Sequence, residues 1–460
     1  MEDKKTADNR LLWIFAVGQL GWSMLSGIIS NWLVFFFQPS SIEIENGQQV
    51  FIPQGKVLGL TAIGLITAFG RIFDAVTDPL VAGKSDSLRH RLGRRIPFMR
   101  YSAVPFGVVT VLIFCSPFEL RSTGNTVCLA VTVILFYLCM TCYCTPYNAL
   151  IPELSRTQEA RINLSTYISV TYFFGTAIAY LVPNISGIFR KFLGYADSYR
   201  LTVGIISSIA VVCMLIPSFA IDENVYADTS PSEVSAFSSL ISTFKNKNFR
   251  IFVLSDILYW IGLTLFQTGL SYYITVLLGL SSSMTFPMFA VMTAMSFVCY
   301  TPVNIISKKW GKKKLIAFAF IFFALVFLIT AGSGLTGIPP LVYGIIIAVM
   351  ASVPMAVLGI LPQAVVADIS EADKIVTGES RQGMFYASRT FAFKMGQSVA
   401  MLLFTSISVI NSKVQQGQSG YGLGYRLTAI VAFVLCLAGG LVFIKYDEKG
   451  VISQIEKGNS

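Results

Sequence analysis

The sequence predicts an all-α membrane protein with twelve transmembrane helices in two six-helix halves. Of its 460 residues, 54% are hydrophobic and 13% are charged, whereas a soluble protein carries about 25% charged residues. Apolar segments of the roughly 20 residues that a spanning helix needs recur twelve times, and a polar central stretch separates six from six. This composition excludes a disordered chain, a disulfide-stapled secreted domain and a soluble multidomain enzyme.

The twelve predicted membrane segments follow one another along the whole chain. They are Leu11–Phe37, Val57–Ala82, Arg100–Phe118, Thr126–Ile151, Asn163–Val182, Leu201–Ala220, Ile251–Leu278, Met284–Ile306, Leu315–Ala331, Pro340–Val366, Met384–Ile410 and Tyr425–Ile444. We therefore divide the chain into an N-terminal half (residues 1–221), a cytoplasmic central loop (222–250), a C-terminal half (251–445) and a cytoplasmic tail (446–460).

The distribution of lysine and arginine predicts the orientation. The net charge is +10, and most of the basic residues lie in short loops between apolar segments. The densest clusters, at residues 84–100 and 308–314, fall in loops that share one side of the membrane with both termini. Because cytoplasmic loops are rich in lysine and arginine, we expect both termini in the cytoplasm. No soluble basic domain is present, so a nucleic-acid partner is not expected.

Two of the basic loops form a weak internal repeat. Arg91-Leu92-Gly93-Arg94-Arg95 follows the second helix of the first half, and Lys309-Trp310-Gly311-Lys312-Lys313 follows the second helix of the second half. Two parallel repeats of six helices describe the major facilitator architecture. The candidate cytoplasmic gate residues are Arg91, Arg94, Arg95, Lys312 and Lys313. The alternative is that both loops serve only as orientation signals.

The second predicted helix carries three charges, Arg71, Asp74 and Asp78, on one face. Each charge at mid-bilayer costs about 2.5–3.5 kcal/mol on insertion scales, so the three should pair or line a wet cavity. Two carboxylates one turn apart suit a small hard cation or a proton, and Arg71 can neutralise one of them. The alternatives are a packing network and a position of Asp78 at the interface.

Lys394 is the other charge predicted to lie deep in the membrane. It falls about ten residues into the eleventh apolar segment, too deep to reach the interface easily. We expect a carboxylate of the second helix as its partner. Asp256 follows Arg250 closely, so a position at the membrane interface is as plausible for it as a buried one.

Several uncharged polar residues in apolar segments are candidates for substrate contact. Amide and hydroxyl groups beside aromatic rings suit sugar hydroxyls and ring faces, although such residues also hold helices together. They include Gln19, Trp22, Ser23, Asn31, Asn148, Gln267 and Gln363.

Enzyme chemistry is not expected. The chain has one histidine and eight cysteines, and the cysteines lie almost entirely in apolar segments. No HExxH, GxSxG or P-loop motif occurs. We therefore expect no enzymatic activity, no cofactor, and no metal beyond a possible sodium site.

The stretch Gly70-Arg71-Ile72-Phe73-Asp74-Ala75-Val76-Thr77-Asp78-Pro79-Leu80, with the basic loop after it, resembles the signature of the glycoside–pentoside–hexuronide:cation symporters. Pro146–Leu154, Ala367–Ile369 and Arg381–Gly396 are similar to other segments of that family, which includes melibiose permease. The resemblance implies a major facilitator fold, uptake of a sugar or glycoside by alternating access, and coupling to Na⁺ or H⁺. It also implies a bacterial inner membrane location, and we expect a functional monomer.

The resemblance also implies site residues. Asp74 and Asp78 match the two cation-site aspartates, Thr77 and Thr141 lie at positions of the same site, and Lys394 matches the lysine facing it. The sugar site departs from melibiose permease: Ser23, Cys144 and Ser169 stand where that protein has Asp, Asp and Arg, and Asn148 replaces a tryptophan. A galactoside is therefore in doubt.

Three other functions stay open. They are a facilitator or symporter of a non-sugar amphiphile, lipid-like or drug-like, a membrane receptor that no longer transports, and an intramembrane enzyme. Retention of both aspartates argues against uncoupled transport, and the short polar tail argues against a receptor with an output domain.

Overall fold

The computed structural model describes residues 7–57, 59–226, 243–378, 382–412, 414 and 417–459. The chain divides into two compact units. The first comprises residues 1–57 and 65–234, and the second comprises 58–64 and 235–460.

The elements of the first half are mainly long helices. They are α1 (Asn9–Phe37), α2 (Ser41–Glu45), β1 (Lys56–Val57), β2 (Leu60–Thr61), α3 (Ala62–Ser87), α4 (Ile96–Ile113), α5 (Thr123–Leu154), α6 (Gln158–Tyr180), α7 (Val182–Phe189), α8 (Tyr195–Ala220) and α9 (Glu223–Tyr226). The two short strands pair with each other.

The second half repeats the pattern of long helices. It contains α10 (Lys247–Tyr272), a π-helical turn (Tyr273–Leu277), a 3₁₀ turn (Ser282–Met284), α11 (Thr285–Trp310), α12 (Lys312–Ala331), α13 (Pro340–Thr377), α14 (Gln382–Ser408), α15 (Leu423–Phe443) and α16 (Glu448–Asn459).

The prediction of twelve membrane helices in two halves of six is confirmed. They are α1, α3, α4, α5, α6 and α8 in the first half and α10–α15 in the second. Among the described residues, nine helices meet a strict test of length and hydropathy, and α6 meets it together with α7 as a pair bent by 40°. The remaining two are α3, which carries Arg71, Asp74 and Asp78, and α14, which carries Arg389 and Lys394.

Several helices extend beyond the predicted apolar segments. The segment predicted at Pro340–Val366 is part of α13, which continues to Thr377. An apolar run marks only the part of a helix inside the hydrocarbon, and the polar turns beyond it continue the same hydrogen-bond ladder. The second helix begins at Ala62 rather than at the expected Val57, because Lys56–Val57 and Leu60–Thr61 form the small sheet. The tail, expected only as a polar stretch, contains α16.

The two halves use the same helix pairs. The first membrane helix packs against the fifth and the sixth in each half: α1 against α6 and α8, and α10 against α14 and α15. This common arrangement supports the internal repeat that the basic loops indicated.

Candidate functional site

The candidate cation site lies where α3 runs beside α5. Gly70 allows the close approach, because a Cβ at this position would lie 2.6 Å from the ring of Tyr137. Beyond this contact, Asp74 faces Thr141 and Asp78 faces Thr145. From the first pair to the second, the residue number rises by four on both helices, so α3 and α5 run in the same direction. Two carboxylates therefore lie against two hydroxyls.

Asp74 lies at the buried end of this arrangement and is fully inaccessible to solvent. The hydroxyl of Thr141 donates to its Oδ1 at 2.9 Å. Thr77 Oγ1 lies 3.4 Å from Thr141 Oγ1 and also donates to the carbonyl of Phe73 at 2.9 Å. The structure therefore brings together Asp74, Thr77 and Thr141, three of the four residues predicted for this site.

Asp78, the fourth predicted residue, is half-buried on the same face of α3. The hydroxyl of Thr145 donates to its Oδ1 at 3.3 Å. Sequence reasoning missed Thr145. Its spacing of four from Thr141, which matches the spacing of the two aspartates, is the signal that identifies it.

Arg71 lies on the same face of α3, about one turn before Asp74. Its guanidinium donates to Ser30 Oγ on α1 at 3.1 Å and lies 5.3 Å from the ring centroid of Tyr137. Its predicted role as a charge partner of the aspartates stays a prediction.

The donor set of this site consists of oxygen atoms only. Two carboxylates and three hydroxyls match the preference of hard cations such as Na⁺, and a carboxylate also accepts a proton. Lys394 lies half-buried on α14, and its pairing with a carboxylate of α3 stays a prediction.

A buried ion pair on α10 and α14 was not anticipated. Arg389 Nε and Nη2 donate to the two carboxylate oxygens of Asp256 at 2.8 and 3.1 Å, and both residues are less than a tenth exposed. Asp256 is therefore buried within the protein, and the set of buried charges includes this pair; its depth relative to the membrane interface stays a prediction. Arg389 lies near the start of an apolar segment, and only its distant partner explains its burial.

The candidate substrate residues are dispersed over several helices. Gln19 and Asn31 are buried on α1, and Ser23 packs against Gly175 of α6 while donating to the carbonyl of Leu20. Three others are half-buried: Trp22, Cys144 and Gln267. The remaining three are exposed: Asn148, Ser169 and Gln363. Their contact with a substrate stays a prediction.

The first basic loop forms a clasp at the start of α4. Glu223, which follows α8, accepts hydrogen bonds from the backbone N–H groups of Arg95 and Ile96 at 2.8 and 2.9 Å. Gly93 adopts φ +94°, and a Cβ there would collide with the Glu223 carboxylate. The guanidinium of Arg95 lies 2.6 Å from Glu153 at the end of α5.

The second basic loop forms a corresponding clasp at the start of α12. Glu448, which follows α15, accepts from the backbone N–H groups of Lys312 and Lys313 at 2.7 and 3.2 Å. Gly311 adopts φ +83° and lies against the same carboxylate. The ammonium of Lys312 pairs with Asp368 near the end of the transmembrane part of α13.

The two clasps use corresponding elements of each half. In both, a glutamate after the sixth membrane helix caps the third, where a carboxylate is favourable at a helix N-terminus, and a basic side chain reaches an acid of the fourth. Arg91 is exposed. The clasps give Arg94, Arg95, Lys312 and Lys313 a role within their own halves, and their role as a gate stays a prediction.

Comparison with known proteins agrees with this architecture. The chain is similar to the solved structure of a mutant of the nucleoside transporter NupG, with a TM-score of 0.67, 11% identity and coverage of 96% of this chain and 100% of that chain. At this identity the likeness shows the fold alone. The chain is a multi-pass membrane protein with the major facilitator fold, the fold of a transporter.

The family follows from the sequence match. A family model described as MFS/sugar transport protein matches residues 14–447, and the chain belongs to this family. It is a symporter-type transporter and not an enzyme, as predicted. The resemblance to the glycoside–pentoside–hexuronide:cation symporters is confirmed.

Three relatives illustrate the range of the family. The chain is 25% identical to an uncharacterized symporter, YnaJ, of Bacillus subtilis, over 95% of this chain and 91% of that protein. It is 22% identical to the isoprimeverose transporter of Lactiplantibacillus pentosus (94% and 88%). It is also 22% identical to the sodium-dependent lysophosphatidylcholine symporter 1 of Xenopus tropicalis (83% and 79%).

Proposed function

We propose that the chain is a secondary active transporter that carries a sugar or glycoside across the plasma membrane by alternating access, coupled to Na⁺ or H⁺. The observation that carries this proposal is the pairing of two carboxylates on α3 with two hydroxyls on α5, Asp74 with Thr141 and Asp78 with Thr145. Such a set binds a hard cation or a proton at a place where an uncoupled carrier has no need of costly charges.

Coupling follows from reciprocity. When a cation occupies Asp74 and Asp78, it neutralises charge on α3 and favours the conformation that binds substrate. Each ligand then raises the affinity for the other by the same factor. Arg71 and Lys394 are the proposed charge partners that respond to occupancy of the aspartates.

Membership of the MFS/sugar transport protein family and the similarity to an isoprimeverose transporter support a sugar or glycoside as the substrate. The polar residues of α1, α10 and α13 that we propose as contacts include Gln19, Gln267 and Gln363. The second candidate is a lipid-like amphiphile, which the similarity to a lysophosphatidylcholine symporter favours.

The proposed location is the bacterial inner membrane, with both termini and both basic clasps in the cytoplasm and with the monomer as the functional unit. The concentration of lysine and arginine in the clasp loops supports this orientation. Fusion of alkaline phosphatase to the C-terminal end at Ser460 tests it. An inactive fusion is expected, whereas an active fusion places this end outside.

Uptake into proteoliposomes tests the function. The protein is reconstituted and supplied with labelled isoprimeverose, a panel of glycosides and a lysophospholipid, each with an imposed Na⁺ gradient, an imposed pH gradient or neither. Gradient-dependent accumulation of a sugar is expected. Accumulation that does not depend on either gradient would contradict the proposed cation coupling. Accumulation of the lysophospholipid alone would contradict the proposal that the substrate is a sugar.

Two neutral variants locate the coupling site. Asp74→Asn and Asp78→Asn should abolish gradient-driven accumulation while the protein still inserts normally. Asp197→Asn is the matched control, because that carboxylate forms an exposed ion pair with Arg200 one turn away. Unchanged cation dependence in both α3 variants would move the coupling site elsewhere.

A further inference from the structure

Arg100 lies among apolar side chains that are exposed on the surface of the first half. It is the fifth residue of α4, and its guanidinium lies 4.1 Å from the ring centroid of Phe219 near the end of α8. Phe219 is 65% exposed, and Tyr101 beside Arg100 is 66% exposed. Apolar side chains exposed on a membrane-spanning helix meet lipid. Arg100 therefore places a positive charge at the end of a surface that otherwise contacts acyl chains.

The guanidinium of Arg100 retains donors for a ligand. Its Nη2 donates to the backbone carbonyl of Ser218, which holds the group beside the last turn of α8. Among the residues that the structure describes, Arg100 forms no ion pair, and its buried Nε donates to no acceptor. A guanidinium carries five N–H groups, so one carbonyl leaves most of them, and the positive charge, unmatched. Phosphate oxygens accept parallel hydrogen bonds from such a fork.

An apolar groove on α8 begins beside this charge. Its lining residues are Val212, Leu215, Ile216, Phe219 and Ala220. The groove has a volume of about 460 Å³, and the helix rises about 12 Å from its first lining residue to its last. Phe219 belongs to the groove and also lies against the guanidinium. The charge and the groove therefore form one continuous surface, polar at one end and apolar along the rest.

The second half has no charge at the equivalent position. Seven residues after the glycine of each clasp stand Arg100 in the first half and Phe318 in the second. Four residues before the glutamate of each clasp stand Phe219 and Ile444. Phe318 and Ile444 are 46% and 49% exposed, so the second half forms the same surface from apolar side chains alone. The clasp and the helix packing therefore do not require an arginine here.

The two helices that carry this surface are packed tightly. Gly107 of α4 lies against α8, where a Cβ would collide with the side chain of Val211. Glu223, which follows α8, accepts from the backbone N–H groups at the start of α4. These contacts fix the position of Arg100 relative to the groove, as a preorganised binding surface requires.

We propose that Arg100 and the groove of α8 bind one anionic phospholipid, with its phosphate on the guanidinium and an acyl chain in the groove. A lipid of net charge −1 matches a single arginine that has no carboxylate partner. The ammonium of a zwitterionic phosphatidylethanolamine would find no acid among the five groove residues. The bound lipid bridges the start of α4 and the end of α8, beside the clasp that joins the same two helices.

Lipid titration of the full-length protein tests this site. Purified protein in detergent micelles is titrated with phosphatidylglycerol or with phosphatidylethanolamine of the same acyl chains, and native mass spectrometry counts the bound lipids. Arg100→Gln removes the charge, and Ile216→Trp fills the middle of the groove at a position that is 40% exposed. Arg89→Gln is the matched control, because that arginine is exposed in the loop before α4.

We expect wild type to bind one phosphatidylglycerol more tightly than it binds phosphatidylethanolamine. Arg100→Gln should raise the dissociation constant of this lipid about five- to tenfold, the contribution of one arginine at an anionic headgroup. Ile216→Trp should also weaken it, and the control should match wild type. In the double variant the two effects should not add, because both substitutions remove the same lipid.

Three results would overturn the proposal: an unchanged dissociation constant in Arg100→Gln, equal affinities of wild type for the two lipids, or additive effects in the double variant. If Arg100→Gln does not fold, Ile216→Trp decides, and unchanged binding in that variant would overturn the proposal. No transport substrate or ion gradient enters the titration, so its outcome is separate from that of the proposed sugar symport.

Discussion

Two buried carboxylates, Asp74 and Asp256, differ in what surrounds them. Asp74 on α3 accepts from the neutral hydroxyl of Thr141, whereas Asp256 on α10 is bound through both oxygens by Arg389. The Thr141 hydroxyl orients the carboxylate of Asp74, whereas the guanidinium of Arg389 holds the carboxylate of Asp256 through two charge-assisted hydrogen bonds. The first arrangement suits a site for a mobile cation, and the second suits a fixed joint between two helices.

Breaking the fixed joint should have the largest effect on stability. Arg389→Leu leaves Asp256 buried without its counter-charge, and we expect a loss of about 3–5 kcal/mol in the free energy of unfolding. The double variant Asp256→Leu/Arg389→Leu removes both charges and should lose much less. Denaturant unfolding of the purified protein in micelles measures both.

Lys374→Leu is the matched control for this prediction, because Lys374 forms a largely exposed pair with Glu371 one turn away. Its unfolding should match that of wild type. A double variant that is as unstable as Arg389→Leu would contradict the idea that an uncompensated charge is the cause.

The clasps provide carboxylates of a third kind, satisfied mainly by backbone N–H groups. Glu223→Gln should destabilise the protein by about 1–2 kcal/mol, because the charge at the start of α4 is lost and one buried bond weakens. Glu448→Gln should cost less, since Glu448 is half-buried and one of its bonds is 3.2 Å long. Thermal unfolding of both variants beside Glu456→Gln, an exposed control on α16, checks this order; a reversed order would contradict it.

Removing a hydroxyl sharpens the comparison at the candidate cation site. Thr141→Val should raise the half-saturating cation concentration about fivefold with little change in stability, since one donor that orients Asp74 is lost. Thr145→Val should have a smaller effect because its bond to Asp78 is 3.3 Å long. The activation of sugar uptake by the driving cation measures both.

Thr132→Val on the same helix is the control, because the Thr132 hydroxyl donates to the backbone carbonyl of Cys128. Its cation dependence should equal that of wild type. Equal effects of all three substitutions would show that the hydroxyl contacts do not orient the site.

The smallest expected effect concerns pH. On the short helix α2, Glu43 is 2% exposed and accepts from the hydroxyl of Tyr195 at 2.7 Å. Burial raises the pKa of Glu43 above its ordinary value of 4.5, although Tyr195 and the nearby Arg190 oppose the shift. A raised pKa means that the folded protein favours the protonated acid, so this contribution to stability is present at low pH and is lost as pH rises through the raised pKa.

The melting temperature of wild type should therefore decline as pH rises above about 4.5. In Glu43→Gln this decline should be smaller, by a few degrees at most. Glu45→Gln, on the same short helix, is the control, because Glu45 is exposed. Parallel pH profiles for wild type and Glu43→Gln would contradict the raised pKa.

The sequence predicted the fold, and it identified most residues of the candidate cation site, for physical reasons. Apolar length and basic loops are local properties, so twelve helices in two halves could be predicted without knowing any contact. Asp74 and Asp78 stood out because charges are rare in apolar segments. Thr145 did not, since a threonine is common in a membrane helix and only the register of α5 on α3 shows that it faces Asp78.

The remaining features depend on contacts between residues distant in the chain. Arg389 and Asp256 are 133 positions apart, and nothing near either residue in the sequence indicates the other. The acids of the clasps, Glu223 and Glu448, lie in polar loops where a glutamate is unremarkable. The repeat of Gly93 and Gly311 was visible in the sequence. The carboxylates of Glu223 and Glu448, which leave no room for a Cβ at these glycines, were not.

The most direct test of the proposed cation site is the current that a neutral sugar evokes. On a solid-supported membrane, a jump in the concentration of the transported sugar moves charge if either Na⁺ or H⁺ accompanies it. We expect a current in wild type and in Asp197→Asn, and none in Asp74→Asn/Asp78→Asn, which should still exchange sugar by counterflow. A current of wild-type size in the double variant would contradict the assignment of the coupling cation to the α3–α5 site.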